Sequence, residues 1–178
     1  TYVDNFLNQK LTEKEIKRIG LTPWTPNIIP RTLLLMGGAI AALDHVMKCG
    51  GIAGNMAGGT HHAHYDFGSG YCIFNDLAVC SRLALSKYQL TRIAIIDFDV
   101  HQGDGTATIL QNVDEVLTIS MHCQQNFPFR KSESDFDLVL PANAGDDEVL
   151  AVVARALDIT REFDPELILF QAGVDGLA

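Results

Sequence analysis

Short, mostly apolar runs separated by helical segments set the pattern of this chain. The runs 93–97, 116–120 and 167–171 read as strands buried on both faces of a sheet. Apolar strands that alternate with helices indicate parallel β-α-β units. The sequence therefore predicts an α/β fold with three layers, helix–sheet–helix, around a mostly parallel sheet.

Start and stop signals place the helices. Thr12 and Glu15 form a capping box that predicts a short helix ending near Gly20. Prolines 23, 26 and 30 predict an extended linker, and a long helix is expected over 31–49. The other predicted elements are a helical segment over 2–7, a buried strand over 52–56, a loop over 58–75, helices over 76–88 and 146–163, a short helix between the first two strands, a loop over 123–134 and a strand over 136–140.

Polar side chains follow three of the predicted strands. They occupy 97–101, 120–122 and 171–175, at the carboxyl end of each strand. In open α/β sheets, ligands bind beyond the carboxyl ends of the strands. The sequence therefore predicts a functional site at this edge of the sheet.

Composition narrows the function classes. A net charge of −9 argues against direct nucleic-acid binding, and it suits either a cationic substrate or simple solubility. No continuous apolar run reaches the 18 or so residues needed to cross a membrane, and no signal peptide is visible, so a cytoplasmic protein is expected. Four cysteines without metal-type spacing are expected to be reduced. We expect residues 1–178 to form one truncated catalytic domain, because the chain begins within a helix-like segment and ends directly after a polar motif that follows a strand.

Three side chains form a candidate metal site. Asp99, His101 and Asp175 offer two carboxylates and an imidazole, and they leave a fourth position open for water, as in catalytic zinc sites. Capping of a neighbouring helix or turn is the alternative for each of them. It is strongest for Asp175, which follows a strand.

Adjacent histidines form a candidate acid–base pair. His61 and His62 lie on a glycine-flanked loop, whereas His64 is interpreted as incidental. Asp97 and Asp104 flank the proposed ligands and suggest His–Asp pairs, in which the carboxylate fixes the imidazole tautomer. A turn residue is the alternative for Asp104.

Five motifs occur along the chain in this order: Gly58-Gly59-Thr60-His61-His62-Ala63, Gly70-Tyr71-Cys72-Ile73-Phe74-Asn75-Asp76, residues 97–105, Asn126-Phe127-Pro128 and Gln171-Ala172-Gly173-Val174-Asp175. Together they resemble the motifs of the zinc-dependent histone deacetylase family, whose members have the arginase/deacetylase α/β fold. Gln102, where many members have a second histidine, is typical of the class IV-like and related bacterial branch.

The resemblance implies a role for each matching residue. Asp99, His101 and Asp175 would bind the metal, and Asp97 and Asp104 would support His61 and His62 respectively. Tyr71 and Phe127 would form the walls of an acyl-lysine channel, and Gly70 would offer its carbonyl to the substrate amide. The family also implies a potassium site formed by Asp97, Asp99, His101, Ser120 and Met121.

The expected function is metal-dependent hydrolysis that removes acetyl or other acyl groups from lysine side chains. Zinc is the expected metal, and Fe²⁺ is compatible with the donor set. The substrate would be an acyl-lysine protein or an acylated polyamine, with a nuclear location expected in a eukaryote. An arginase-like binuclear hydrolase ranks low because Asp175 is followed by Gly176-Leu177 rather than a further ligand.

One family feature has no match in these residues. The family carries a late Gly-Gly-Tyr segment whose tyrosine polarises the amide carbonyl, and none of the four tyrosines here has that context. The fragment is therefore expected to be inactive without that segment. A catalytically incomplete acyl-lysine binding module is the non-enzymatic alternative.

Overall fold

Four parallel strands form the sheet at the centre of the computed structural model, which describes residues 1–176. The order is β3-β2-β1-β4, so each connection is a crossover between parallel strands. The predicted α/β class and parallel sheet are confirmed. The strands are β1 (Ile93–Asp97), β2 (Val116–Cys123), β3 (Phe136–Leu140) and β4 (Leu167–Gln171).

Helices cover both faces of this sheet. They are α1 (Tyr2–Leu7), α2 (Glu13–Ile19), α3 (Ile28–Cys49), α4 (Asp76–Tyr88), α5 (Asp104–Leu110) and α6 (Asp146–Phe163). Side chains alternate across a strand, so Ile93 and Ile95 pack with α3, α4 and α5, whereas Ala94 packs towards α6. The three layers expected from the sequence are present.

The predicted helix caps are also present. Thr12 Oγ1 accepts a hydrogen bond from the Glu15 amide at 3.3 Å, and the Glu15 carboxylate accepts one from the Thr12 amide at 2.7 Å. Gly20 ends α2 with a φ of 85°, a conformation that glycine adopts without strain.

Four local predictions are wrong. Residues 52–56 form no strand, and Ile52 and Met56 are fully exposed beside glycines that break regular structure. The helix α3 begins at Ile28 and includes Pro30 in its first turn, where no backbone N–H is needed. β2 continues to Cys123 because residues 121–123 pair with β3. β4 is an edge strand with alternate side chains exposed rather than a buried strand.

The helix α3 is long and apolar enough to cross a membrane by length and composition, with a mean hydropathy of 1.3 over 18 residues. Arg31, Asp44 and Lys48 interrupt the apolar run, so this helix fails a criterion based on a continuous apolar run but meets one based on average hydropathy. In the structure, Leu43 of α3 packs into the cluster between the helices and the sheet. The helix therefore contributes to the core of the α/β fold.

Burial predicts which leucines stabilise the fold. Leu110→Ala should lower the free energy of unfolding of the full-length protein by about 2–5 kcal/mol, because Leu110 is 2% exposed and its truncation leaves a cavity. Leu150→Ala, a matched change on α6 at 63% exposure, should cost less than about 0.5 kcal/mol. Urea denaturation measures both values. Equal losses would contradict this packing.

Candidate active site and metal centre

Asp99, His101 and Asp175 converge on one point at the edge of the sheet. His101 Nδ1 lies 3.0 Å from Asp99 Oδ1 and 3.0 Å from Asp175 Oδ2, and the three ligand atoms all lie within 4.8 Å of one another. Ligands about 2.0–2.2 Å from a tetrahedral metal lie roughly 3.3–3.6 Å apart. Two carboxylate oxygens and one imidazole nitrogen at this spacing fit a divalent metal ion.

Strand pairing brings these distant residues together. β1 and β4 are neighbours in register, with Asp97 opposite Gln171, so the segments that follow them run side by side. The Val100 amide donates to Asp175 Oδ1 at 3.2 Å. Gly173 permits this approach, because a Cβ there would collide with the backbone of Asp99.

The first histidine–carboxylate pair is buried beside the metal cluster. His61 Nδ1 lies 2.6 Å from Asp97 Oδ2, and His61 Nε2 lies 3.9 Å from Asp99 Oδ1. The other oxygen of Asp97 accepts a hydrogen bond from the Asp99 amide at 3.1 Å. Gly103 leaves room for this pair, since a Cβ there would collide with Asp97 Oδ2. Asp97 thus supports His61 and does not contribute to the three-ligand cluster.

The second pair lies against the first. His62 Nδ1 lies 2.7 Å from Asp104 Oδ1, and the rings of His61 and His62 are 4.0 Å apart between centroids. Asp104 is the first residue of α5, so the strand-to-helix connection after β1 carries ligands and supporting carboxylates together. Both pairings implied by the resemblance are present as hydrogen bonds; the chemical roles remain predictions.

The two imidazoles differ in proton affinity. Burial disfavours the charged form of His61, but the charge and hydrogen bond of Asp97 outweigh it and raise its pKa to about 9. Burial lowers the pKa of His62, and the neighbouring His61 cation lowers it further against the opposing effect of Asp104. At neutral pH the metal-free site therefore holds one charged and one neutral imidazole.

The carboxyl of Asp104 remains ionised. Burial alone would raise its pKa, but hydrogen bonds from His62 and His64 lower it to about 2. An ionised carboxylate only accepts hydrogen bonds, so His62 must donate its Nδ1 proton to Asp104. The Nε2 atom of neutral His62 is then unprotonated and available as a base.

Asp76 and Asn75 anchor the histidine loop, a role that the motif reading missed. The Asp76 carboxylate accepts hydrogen bonds from the Gly59 amide at 3.1 Å and from the Thr60 amide and hydroxyl at 3.0 and 2.7 Å. Asn75 Nδ2 donates to the backbone oxygen of His61 at 3.3 Å. Asn75 and Asp76 stand at the beginning of α4, directly after a glycine-rich loop, and this position in the sequence could have predicted that they cap the helix and bind the loop.

The predicted channel residues lie at different depths. The Phe127 ring stands edge-on to the ring of His62 at 4.9 Å between centroids. Gly70 has a φ of 51°, and a Cβ there would press into the His62 ring. Tyr71 is 70% exposed with its ring beside Gly20. Phe127 and Gly70 therefore lie against His62, whereas the exposed Tyr71 ring lies beside Gly20, and its role as a channel wall stays a prediction.

The predicted potassium residues cluster around the ends of β1 and β2. Asp97 is in register with Ser120, and Met121 follows in the same buried strand. Ser120 Oγ lies 3.0 Å from Nδ1 of the buried His122. Asp99 and His101 continue from β1, so the five residues share one region; potassium binding stays a prediction.

Two residues outside the predicted set are fixed in this region. His64, interpreted as incidental, lies 3.0 Å from Asp104 Oδ2 through its Nε2. Gln102 is fully buried, and its amide exchanges hydrogen bonds of 2.8 Å with the backbone N and O of Ser132. Gln102 thereby ties the ligand segment to the loop that carries Phe127.

Comparison with known proteins gives consistent matches. The family model described as histone deacetylase domain matches residues 1–178. An uncharacterised protein of Picosynechococcus sp. is 46% identical over 179 residues, covering 98% of this chain and 58% of that protein. Histone deacetylase 2 of Arabidopsis thaliana is 30% identical over 181 residues, covering 96% and 46%. Polyamine deacetylase HDAC10 of Rattus norvegicus is 38% identical over 133 residues, covering 65% and 22%.

A solved structure agrees with these matches. The crystal structure of an HDAC homologue from Aquifex aeolicus has a TM-score of 0.74 and 32% identity, and it covers 83% of this chain and 43% of that chain. The chain spans about half the length of the curated relatives it matches.

The anchoring role of Asp76 predicts a sensitive substitution. Asp76→Asn should lower the free energy of unfolding by about 1–3 kcal/mol, because an amide has only one acceptor oxygen and cannot accept hydrogen bonds on both sides from Gly59 and Thr60. Asp66→Asn, an exposed change in the same loop region, is the matched control and should be neutral. Thermal or urea unfolding measures the difference. A neutral Asp76→Asn would contradict the anchor.

The pKa of His61 predicts a pH-dependent stability. Its folded-state pKa is raised to about 9 from an ordinary 6.5. The stabilisation is therefore fully present below pH 6.5 and is lost as the pH rises through 9. In metal-free protein, the difference in unfolding free energy between wild type and His61→Gln should shrink over this window.

Asp97→Asn tests the cause of that pH dependence. Asp97 provides the charge and the hydrogen bond that raise the pKa of His61. When His61→Gln is made in the Asp97→Asn background, the unfolding free energy that it removes should therefore stay constant between pH 6.5 and 9. A pH-independent difference in the wild-type background would contradict a charged His61–Asp97 pair.

Proposed function

The chain belongs to the histone deacetylase family, and on that premise we propose that this protein is a zinc-dependent hydrolase that removes acetyl groups from lysine side chains of proteins. One observation carries the proposal. Two buried histidines, each hydrogen-bonded to a carboxylate, stand beside a cluster of three metal-ligand atoms. This arrangement combines a base, its support and a place for an electrophilic metal within a few ångströms.

The donor set favours a single catalytic zinc ion. Asp99 and Asp175 would supply oxygen ligands and His101 a nitrogen, with the fourth position left for water or substrate. Among the described residues, one cluster of three ligand groups is found, which supports one metal ion over an arginase-like pair. When bound, zinc would polarise the acyl carbonyl and lower the pKa of a water molecule towards about 7. Fe²⁺ would suit the same donors.

His62 is the proposed general base and acid. Its Nδ1–H is committed to Asp104, so Nε2 takes the proton of the attacking water. His62 then gives that proton to the leaving lysine amine, which restores the neutral ring. A lowered pKa supports this role, because a base must be unprotonated at the working pH.

His61 has a different proposed role. Its higher pKa makes it a poor base in the metal-free site, and its bond to Asp97 fixes Nε2 towards Asp99. There it would donate a hydrogen bond to the oxygen that gains negative charge during attack. The unequal proton affinities of two adjacent imidazoles thus support a division of labour.

The channel residues fit a long, thin apolar stem ending in an amide. Phe127 provides an aromatic wall in contact with His62. The Gly70 carbonyl accepts a hydrogen bond from the Cys72 thiol at 3.2 Å, and its second lone pair would accept the substrate N–H. Burial raises the pKa of the Cys72 thiol to about 12, so the thiol remains protonated and does not compete as a nucleophile.

An acetylpolyamine deacetylase is the second candidate. The net charge of −9 favours a polycationic substrate, and three relatives are named polyamine deacetylase. An acyl-lysine binding module that lacks turnover is the non-enzymatic outcome. The potassium ion expected near Asp97 and Ser120 would stabilise the ligand segment in each case.

The test uses the full-length protein, loaded with zinc, on an acetyl-lysine peptide and on an N-acetylated polyamine. Turnover should disappear with a chelator and return with zinc. His62→Ala should lower kcat by about 10²–10⁴-fold, the usual contribution of an acid–base residue. His45→Ala, on the exposed face of α3, should leave kcat unchanged.

Three results would decide among the candidates. Undiminished turnover after His62→Ala, or by Asp175→Asn protein with the metal removed, would refute the mechanism. A higher kcat/KM on the polyamine would favour the second candidate. Peptide binding without turnover by zinc-loaded wild type would favour the binding module.

A further inference from the structure

The Asp104 carboxylate holds two imidazoles at once. Its Oδ1 lies 2.7 Å from His62 Nδ1, and its Oδ2 lies 3.0 Å from His64 Nε2. The mechanism above uses His62 and Asp104 but assigns nothing to His64. His64 therefore contacts, through the second oxygen of Asp104, the carboxylate that supports the proposed acid–base residue His62.

His64 is fixed in this position from several sides. Its Nδ1 lies 2.8 Å from Thr108 Oγ1, and its backbone amide donates to the Phe67 carbonyl at 2.9 Å. Its ring stacks on the ring of Phe67 at 4.3 Å and 19°, and Arg18 covers that ring at 4.6 Å. The side chain is only 13% exposed. An incidental surface histidine would not have a partner for both ring nitrogens and one ring face.

The protons can be assigned by counting donors. Asp104 is ionised and accepts on both oxygens, so each imidazole must donate to it. His62 donates from Nδ1, and His64 donates from Nε2. The Thr108 hydroxyl donates to the backbone carbonyl of Asp104, and its oxygen lies 2.8 Å from His64 Nδ1, where it accepts a hydrogen bond when that nitrogen carries a proton. His64 therefore donates to Asp104 in both protonation states.

We propose that His64 is a positioning residue for the deacetylation: by binding the second oxygen of Asp104, it fixes the carboxylate and thereby holds His62 in the Nδ1–H tautomer. This inference rests on the proposed function. A carboxylate held by one partner turns about its Cβ–Cγ bond, whereas one held on both oxygens has a fixed plane. Since only the Nδ1–H tautomer leaves Nε2 free to take a proton, the order of Asp104 sets the fraction of competent His62.

Two substitutions at His64 separate the hydrogen bond from the packing. His64→Phe keeps a ring against Phe67 but removes the donor to Asp104. It should lower kcat by about 10-fold, within the usual range for residues that orient catalytic groups, with KM unchanged. His64→Gln retains an N–H at similar reach and should recover most of kcat. His45→Phe, at an exposed histidine, is the matched control.

A double-mutant cycle tests whether His64 acts through Asp104. In an Asp104→Asn background, His64→Phe should have no further effect on kcat. The full 10-fold loss in that background would overturn the proposal, because His64 would then act by another route. Wild-type kcat in His64→Phe would overturn it as well.

Imidazole ¹H–¹⁵N spectra give a readout that does not need turnover. In metal-free wild type, His62 should show a single Nδ1–H tautomer, and His64→Phe should give mixed tautomers at His62. An unchanged single tautomer would overturn the positioning role. If wild type has no deacetylase activity, the proposed function fails, while these spectra still decide whether His64 orders the Asp104–His62 pair.

Discussion

Parallel pairing of β1 with β4 is the constraint on which the site depends. Residues 99 and 175 are far apart in sequence, but register places the segments after both strands at one edge of the sheet. Gly173 lets the two backbones approach until the carboxylates of Asp99 and Asp175 flank His101. A one-residue shift of register would move the side chains of one strand to the other face and separate the ligand atoms. The candidate metal centre is therefore a consequence of sheet topology.

Buried charge is the second constraint. Ionised carboxylates in the interior are costly unless they are hydrogen-bonded, and each of Asp76, Asp97 and Asp104 accepts at least two hydrogen bonds. The bonds that satisfy these carboxylates also order the histidine loop and set its tautomers. The same contacts thus satisfy the buried carboxylates and orient the two histidines of the proposed acid–base pair.

Much of this was predictable from the sequence, for physical reasons that differ by element. The predicted bounds of β1, α4 and α6 match the structure, because β1 is a continuous apolar run, Asn75 caps the start of α4 and Asp164-Pro165 follows the end of α6. The segment 52–56 contains apolar residues but forms no strand, because the flanking glycines disfavour regular structure and the segment pairs with no neighbouring strand. The ligand motif could be recognised because carboxylates and an imidazole are unusual at the end of a buried strand, and the histidine motif because adjacent histidines are unusual on a glycine-flanked loop. His64, Asp76 and Gln102 were missed because their importance lies in long-range hydrogen bonds, which local patterns do not encode.

X-ray absorption at the zinc edge of the full-length, zinc-loaded protein tests the central claim most directly. The account predicts one zinc ion per chain, bound by oxygen and nitrogen atoms at about 2.0–2.2 Å with a single imidazole, and loss of this coordination in Asp175→Asn. A second metal at about 3.5–4 Å, or sulfur ligands at about 2.3 Å, would contradict it.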